Sequence, residues 1–331
     1  MASTFRSALL LLVLPGCGGQ PPGPALTLYS GRSEALVAPL IERFRSETQV
    51  EVRVRYGGTA ELAALIIEEG DDTEADLYYG QDAGALGALA RGGRLRVLPR
   101  ETLERVDSRF RARDGRWVGV SGRARVLIYN TENLEESELP RSALELTDAR
   151  FKRRLGWAPS NGSFQAFVTA MRVLEGEEAT RSWLERMLAN EPRSYPDNDD
   201  IFDAAVRGEI DIGLTNHYYL LQFRSQASSD PPVRNYSPAD GGAGALVNIA
   251  GVGIVTSSNE AEVAQRFVDF LLSRTSQIYF SERAFEYPLT SELADHPSSP
   301  PLSEIRTPEL DLSELSDLVG TLELLHQTGV L

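Results

Sequence analysis

Ala25-Leu26-Thr27-Leu28-Tyr29-Ser30, then Gly31-Arg32-Ser33, then a run from Glu34, then Val50-Glu51-Val52-Arg53-Val54-Arg55-Tyr56 is the stretch on which the fold turns. The first six residues are a short apolar run of the kind a buried strand needs. Between Glu34 and Glu47, Leu36, Val37, Leu40, Ile41 and Phe44 recur at helical spacing. Val50–Tyr56 alternates valine with charged residues, which predicts a strand with one wet face. Gly57-Gly58-Thr59 reads as a turn, Ala60–Glu69 as a helix, Ala75–Tyr79 as a third strand and Ala83–Ala90 as another helix. A β-α-β-α-β order predicts a parallel sheet covered by helices.

The same alternation runs on. Trp117–Val120 and Ala124–Tyr129 read as paired strands around Ser121-Gly122-Arg123. A second series begins with the strand Leu155–Ala158, with helices near 163–174, 177–189 and 199–207 and a strand at Asp211–Thr215. Leu246–Val255 is a long apolar strand, Glu260–Leu272 an amphipathic helix, and a last helix covers about 312–326. Two α/β units predict two lobes, with a ligand cleft where strands present their carboxyl ends.

Composition narrows the function. The 331 residues carry 33 basic and 48 acidic side chains, a net charge of −15, which argues against a nucleic-acid partner. Lys152 is the only lysine, so no GK[ST] phosphate loop exists. Cys17 is the only cysteine, which rules out intrachain disulfides and cysteine-rich metal sites. Enzyme motifs are poor. There is no HExxH, Gly119-Val120-Ser121-Gly122-Arg123 misses G-x-S-x-G by one place, and Gly251-Val252-Gly253-Ile254 sits inside an apolar strand. A Ser163–His217–Asp197 triad can be written down without motif support.

Residues 1–17 join a short start containing Arg6, the apolar Ser7–Leu14 and Pro15-Gly16-Cys17. The apolar run is far below the roughly 20 residues of a membrane span. It reads as a signal peptide over 1–16. Leu14-Pro15-Gly16-Cys17 resembles a bacterial lipoprotein box, implying cleavage before Cys17 and lipidation of its thiol. Residues 17–24 then form a lipid-anchored, Gly- and Pro-rich tether.

Asn216-His217-Tyr218-Tyr219 follows a predicted strand directly. Asn216 is placed to cap the next helix, putting both phenols in its first turn, where adjacent side chains can lean into one cleft. Phenolate is a hard oxygen donor suited to a trivalent ion, although two rim aromatics would give the same pattern. Tyr78-Tyr79 lies inside a strand, where neighbours face opposite ways, and reads as core. Pro159 to Phe164 joins a strand to a helix and would aim backbone N–H groups at the cleft as an anion site. Asn198 and Arg123 would add an amide and a positive charge, while each alone is also an ordinary cap or turn residue.

With these segments the chain resembles the substrate-binding lipoproteins of bacterial ferric-iron ABC transporters. Leu28 to Arg32, Ala75 to Tyr79, Ser121 to Val126, Asn216 to Tyr219 and Phe285 to Leu289 carry the resemblance, which covers nearly all of the chain after the signal. It implies a two-lobed α/β periplasmic binding protein fold of type II that closes on Fe³⁺ by a hinge. The lobes would be 25–123 with 247–299, and 124–246 with 300–331. It further implies Tyr218 and Tyr219 as metal ligands and Tyr129 as a third. Asn161, Gly162, Ser163, Asn198 and Asn216 would hold a synergistic carbonate or phosphate, with Arg123 beside it. Where many members place His after the first strand, this chain has Ser33-Glu34, so Glu34 is the substitute carboxylate. Where some place Glu after the third strand, it has Gln81. The expected function is capture of Fe³⁺ and delivery to an ABC permease by a membrane-anchored monomer of the periplasm or cell surface, without catalysis. The alternatives are the same fold binding an anion or small organic solute, and a hydrolase.

Overall fold

The computed structural model describes residues 25–291 and 299–331. The expected signal peptide, Cys17 and the tether lie outside them. Chain order is β1 (Ala25–Ser30), α1 (Glu34–Thr48), β2 (Glu51–Tyr56), α2 (Thr59–Glu69), β3 (Leu77–Gly80), α3 (Ala83–Arg91), α4 (Arg100–Leu103) and β4 (Val118–Asn130). Then come β5 (Leu155–Trp157), α5 (Gly162–Glu175), α6 (Glu177–Ala189), β6 (Arg193–Ser194), α7 (Asn198–Val206), β7 (Ile212–Asn216), α8 (Tyr218–Gln226) and β8 (Val233–Tyr236). The chain closes with β9 (Val247–Ile254), α9 (Ala261–Leu271), α10 (Arg274–Tyr279), β10 (Tyr287–Pro288) and α11 (Leu318–Thr328).

The strands run in the order β2-β1-β3-β9-β4-β7-β5-β6. β1 lies parallel between β2 and β3, as the opening stretch predicts. β9 is antiparallel to both β3 and β4. On the far side β5 is parallel to β7 and β6. The two halves have separate aromatic clusters. Phe44, Phe267 and Phe270 pack under the first sheet, and Trp157, Phe164, Phe167 and Trp183 under the second.

β4 joins the halves. Val118–Ala124 pair with β9, whereas Arg125–Tyr129 pair with β7, so the strand changes sheets between Ala124 and Arg125. This corrects the expected pair of strands around Ser121-Gly122-Arg123, because those residues continue one strand. The small residues serve close approach instead. A Cβ at Gly119 would lie 2.7 Å from the Phe110 carbonyl oxygen, and one at Gly122 3.1 Å from a Leu289 methyl.

The C-terminal segment is a second bridge. A 3₁₀ turn at Leu312–Ser316 lies on α3, where a Cβ at Gly84 or Gly87 would come within 2.5 Å of the Leu315 or Ser313 carbonyl oxygen. Asp317 then caps α11 through the Gly320 amide, which breaks the single helix expected over 312–326 into two pieces. Arg172 of α5 holds this joint through the Asp317 carboxylate at 2.9 Å, and Thr169 meets Thr321 at 2.7 Å.

Candidate functional site

A cavity of about 340 Å³ lies where β4 changes sheets. Its wall is built from the carboxyl ends of strands and the helices that follow them. β7 leads into α8 with Tyr218 and Tyr219, and β5 leads into α5 with Asn161, Gly162 and Ser163. β3 leads into α3 with Gln81 and Asp82, and β4 contributes Arg123 and Arg125.

The adjacent phenols converge. The Tyr218 hydroxyl donates to the Tyr219 oxygen at 3.1 Å, and the ring centroids are 4.4 Å apart at 33°. Asn216 is not the cap. It ends β7 opposite Arg125, and its side chain lines the cavity, while His217 holds the position before α8 without a side-chain capping bond. His217 is buried, accepts the Ala124 amide at Nδ1 and stacks on Tyr287 at 4.5 Å, which fixes the direction of the first turn. Burial raises the Tyr219 phenol far above its ordinary value, and the neighbouring Tyr218 raises it further. The Tyr219 oxygen therefore meets the cavity as a phenol that a charged ligand would have to deprotonate.

Beside them Ser163 Oγ is a junction. It accepts from Arg125 at 3.1 Å and Asn198 at 3.0 Å and donates to Asn161 Oδ1 at 2.7 Å. Asn161 also caps α5 through the Ser163 amide at 2.9 Å, so part of the expected anion site serves the helix itself. Gly162 presents open space where a Cβ would stand. Among the described residues Asn198 Oδ1, Arg125 Nε and Arg123 Nε are buried without hydrogen-bond partners.

Arg125 is the residue sequence reasoning missed. It is buried beneath the tyrosines, and burial lowers its guanidinium to about 9, opposed by Tyr219 and Tyr218, so it stays cationic at neutral pH. A signal existed, since Arg123 and Arg125 are two apart in one strand and share a face. Arg123 lines the cavity but is engaged elsewhere, donating to the Gln81 carbonyl oxygen and lying 4.0 Å from the Glu286 carboxylate.

Two expected ligands are not brought to the tyrosines. Tyr129 has the right face but lies four residues beyond Arg125 on β4, roughly 13 Å at about 3.3 Å per residue, where it pairs with Ile212 at the other end of β7. Glu34 is exposed at the start of α1 and is absent from the cavity wall. The written triad is dispersed in its bonding. Ser163 serves the junction, His217 the Ala124 amide, and Asp197 the cap of α7. Among the described residues no group of three or more His, Cys, Asp or Glu is placed to hold a metal, which leaves the phenols as the strong donors.

Residues 72–311 match the family of bacterial extracellular solute-binding proteins. The Fe(3+)-binding periplasmic protein of Serratia marcescens is 30% identical over 308 residues, covering 92% of this chain and 90% of that protein. Iron-bound HitA from Pseudomonas aeruginosa superposes with a TM-score of 0.83 at 32% identity, over 92% of this chain and 99% of that one. IdiA (FutA) of Trichodesmium, in complex with iron and citrate, superposes with a TM-score of 0.77 at 26% identity, over 92% and 99%.

Proposed function

We infer that this chain, which belongs to the family of bacterial extracellular solute-binding proteins, captures Fe³⁺ with a small anion and hands it to an ABC permease. It is a binding protein and not an enzyme. The observation that carries the reading is the pair of phenol oxygens 3.1 Å apart on the cavity wall, with buried Arg125 beside them. Two hard oxygens that converge are what a trivalent hard ion requires, and binding it would displace their protons. The names of relatives that bind ferric iron support the same choice of cargo.

Tyr218 and Tyr219 are the metal ligands in this reading. Ser163, Asn161, Gly162, Asn198 and Asn216 hold the anion, carbonate or phosphate, with Arg125 and Arg123 as its countercharges. Residues 25–123 with 247–299 form one lobe and 124–246 with 300–331 the other, hinged where β4 changes sheets. The protein works as a monomer in the periplasm or at the cell surface, anchored to the membrane through a lipid on Cys17. Retention in the membrane fraction by the wild type but not by Cys17→Ala checks the anchor, and equal retention of both refutes it.

Ferric titration followed in the visible range tests the cargo. Phenolate-to-iron charge transfer will give a band that Tyr218→Phe and Tyr219→Phe each weaken strongly, with affinity falling at least about a hundredfold. Tyr79→Phe will keep the band, because Tyr79 is a buried core residue of β3. A wild type that shows no band on adding iron would leave the cavity to an anion or organic solute.

A further inference from the structure

We infer that Asp82 supplies the carboxylate donor to the cargo, in the place for which Glu34 was the sequence candidate; the inference rests on the ferric reading of the same cavity. Among the described residues that line the cavity Asp82 is the one acidic side chain, and Arg123 and Arg125 line it too. A trivalent ion entering beside two guanidiniums meets repulsion that two phenolates offset only in part, so a fixed negative charge on the facing wall is worth most there.

The local structure presents that charge in one orientation. Asp82 is the N-cap of α3, and its Oδ1 accepts the Ala85 amide at 3.0 Å. Asn248 Oδ1 of β9 accepts the Ala83 amide at 3.3 Å, so the first turn of α3 is tied to the sheet. Among the described residues Oδ2 has no hydrogen bond or ion pair. One carboxylate oxygen therefore holds the helix while the other is available as a hard monodentate donor. α3 is seated against the C-terminal segment through Gly84 and Gly87, which keeps its start from drifting. Asp82 thus lines the same cavity as the tyrosines from the other sheet, and a metal held by both would link the two halves of the molecule. Gln81, one residue earlier, is exposed, and its carbonyl already receives Arg123.

Asp82→Asn is the decisive variant, because asparagine caps a helix as well as aspartate and removes only the charge. Its thermal midpoint should match the wild type. In the ferric titration its affinity should fall at least about tenfold. Its charge-transfer band should also move to longer wavelength, since iron that loses a carboxylate donor is a stronger electron acceptor. An unchanged affinity, or a loss of affinity with an unmoved band, overturns the inference. So does a result in which Glu34→Gln, and not Asp82→Asn, produces the loss and the shift. The tyrosine variants separate the two levels. If Tyr218→Phe also binds iron normally, the ferric reading itself fails.

Discussion

Among the described residues Glu286 is the only carboxylate set directly against the guanidiniums Arg32 and Arg123, and all three are buried. Its Oε1 accepts from Arg32 Nη2 at 2.7 Å, Ser121 bonds its other oxygen, and Arg123 lies 4.0 Å away. Burial would raise this carboxyl, but Arg32 foremost, then Arg123 and the Ser121 hydroxyl, hold it below its ordinary range. A depressed carboxyl contributes stability that is present above its unfolded value, near 4.3, and is lost as pH falls through the lower folded value. The network should therefore survive mild acid and fail only below the usual carboxylate range. Glu286→Gln leaves two buried cations without their countercharge and should cost on the order of 3–5 kcal/mol. Urea unfolding at neutral pH, followed by tryptophan fluorescence, measures it. A cost no larger than that of Ser121→Ala would show that the network is not held by charge.

At the scale of elements, legibility followed the reach of the interactions that define each one. α1 and β2 could be read because one face of each is buried and the other wet, so their period is written locally. β4 could not, since Ser121 and Gly122 look like a turn until Leu289 and Tyr287 are seen packed on them from far along the chain. β8 and β10 are short and complete the sheets only through pairing with β4. The tyrosine pair was legible because a helix start after a strand points both side chains into a cleft. Tyr129 misled because strand parity gives the face without the distance, and the facing wall was missed because the position of α3 depends on a C-terminal segment far away in sequence. Asp82 looks in sequence like a plain helix cap, which it also is.

For the whole molecule, charge distribution decides what else enters the cavity. The chain carries −15 overall, yet the cavity wall is lined by two arginines and one acid. The net negative charge favours approach of a cation, and the arginines lining the cavity oppose it unless an anion comes too. Two phenolates and one carboxylate also leave coordination positions of an iron ion unfilled. The partnerless Asn198 oxygen and Arg125 Nε beside Ser163 show that polar capacity remains at the same place. Tight iron binding should therefore require a small exogenous anion. In buffer stripped of carbonate and phosphate, ferric affinity should drop by at least about tenfold, and adding either anion back should restore it. Ser163→Ala, which removes the junction of Arg125, Asn198 and Asn161, should weaken that restoration more than it weakens folding. The phenols set the pH dependence. A free phenol titrates near 10, so ligation by two phenolates displaces two protons, and affinity should fall by up to about a hundredfold for each unit of acidification. Carbonate should steepen this loss further than phosphate, because acid removes it. If iron bound equally well without any anion, the bonds around Ser163 would be the capping of α5 and nothing more, and the cation excess of the cavity would have to be met by the phenolates and Asp82 alone.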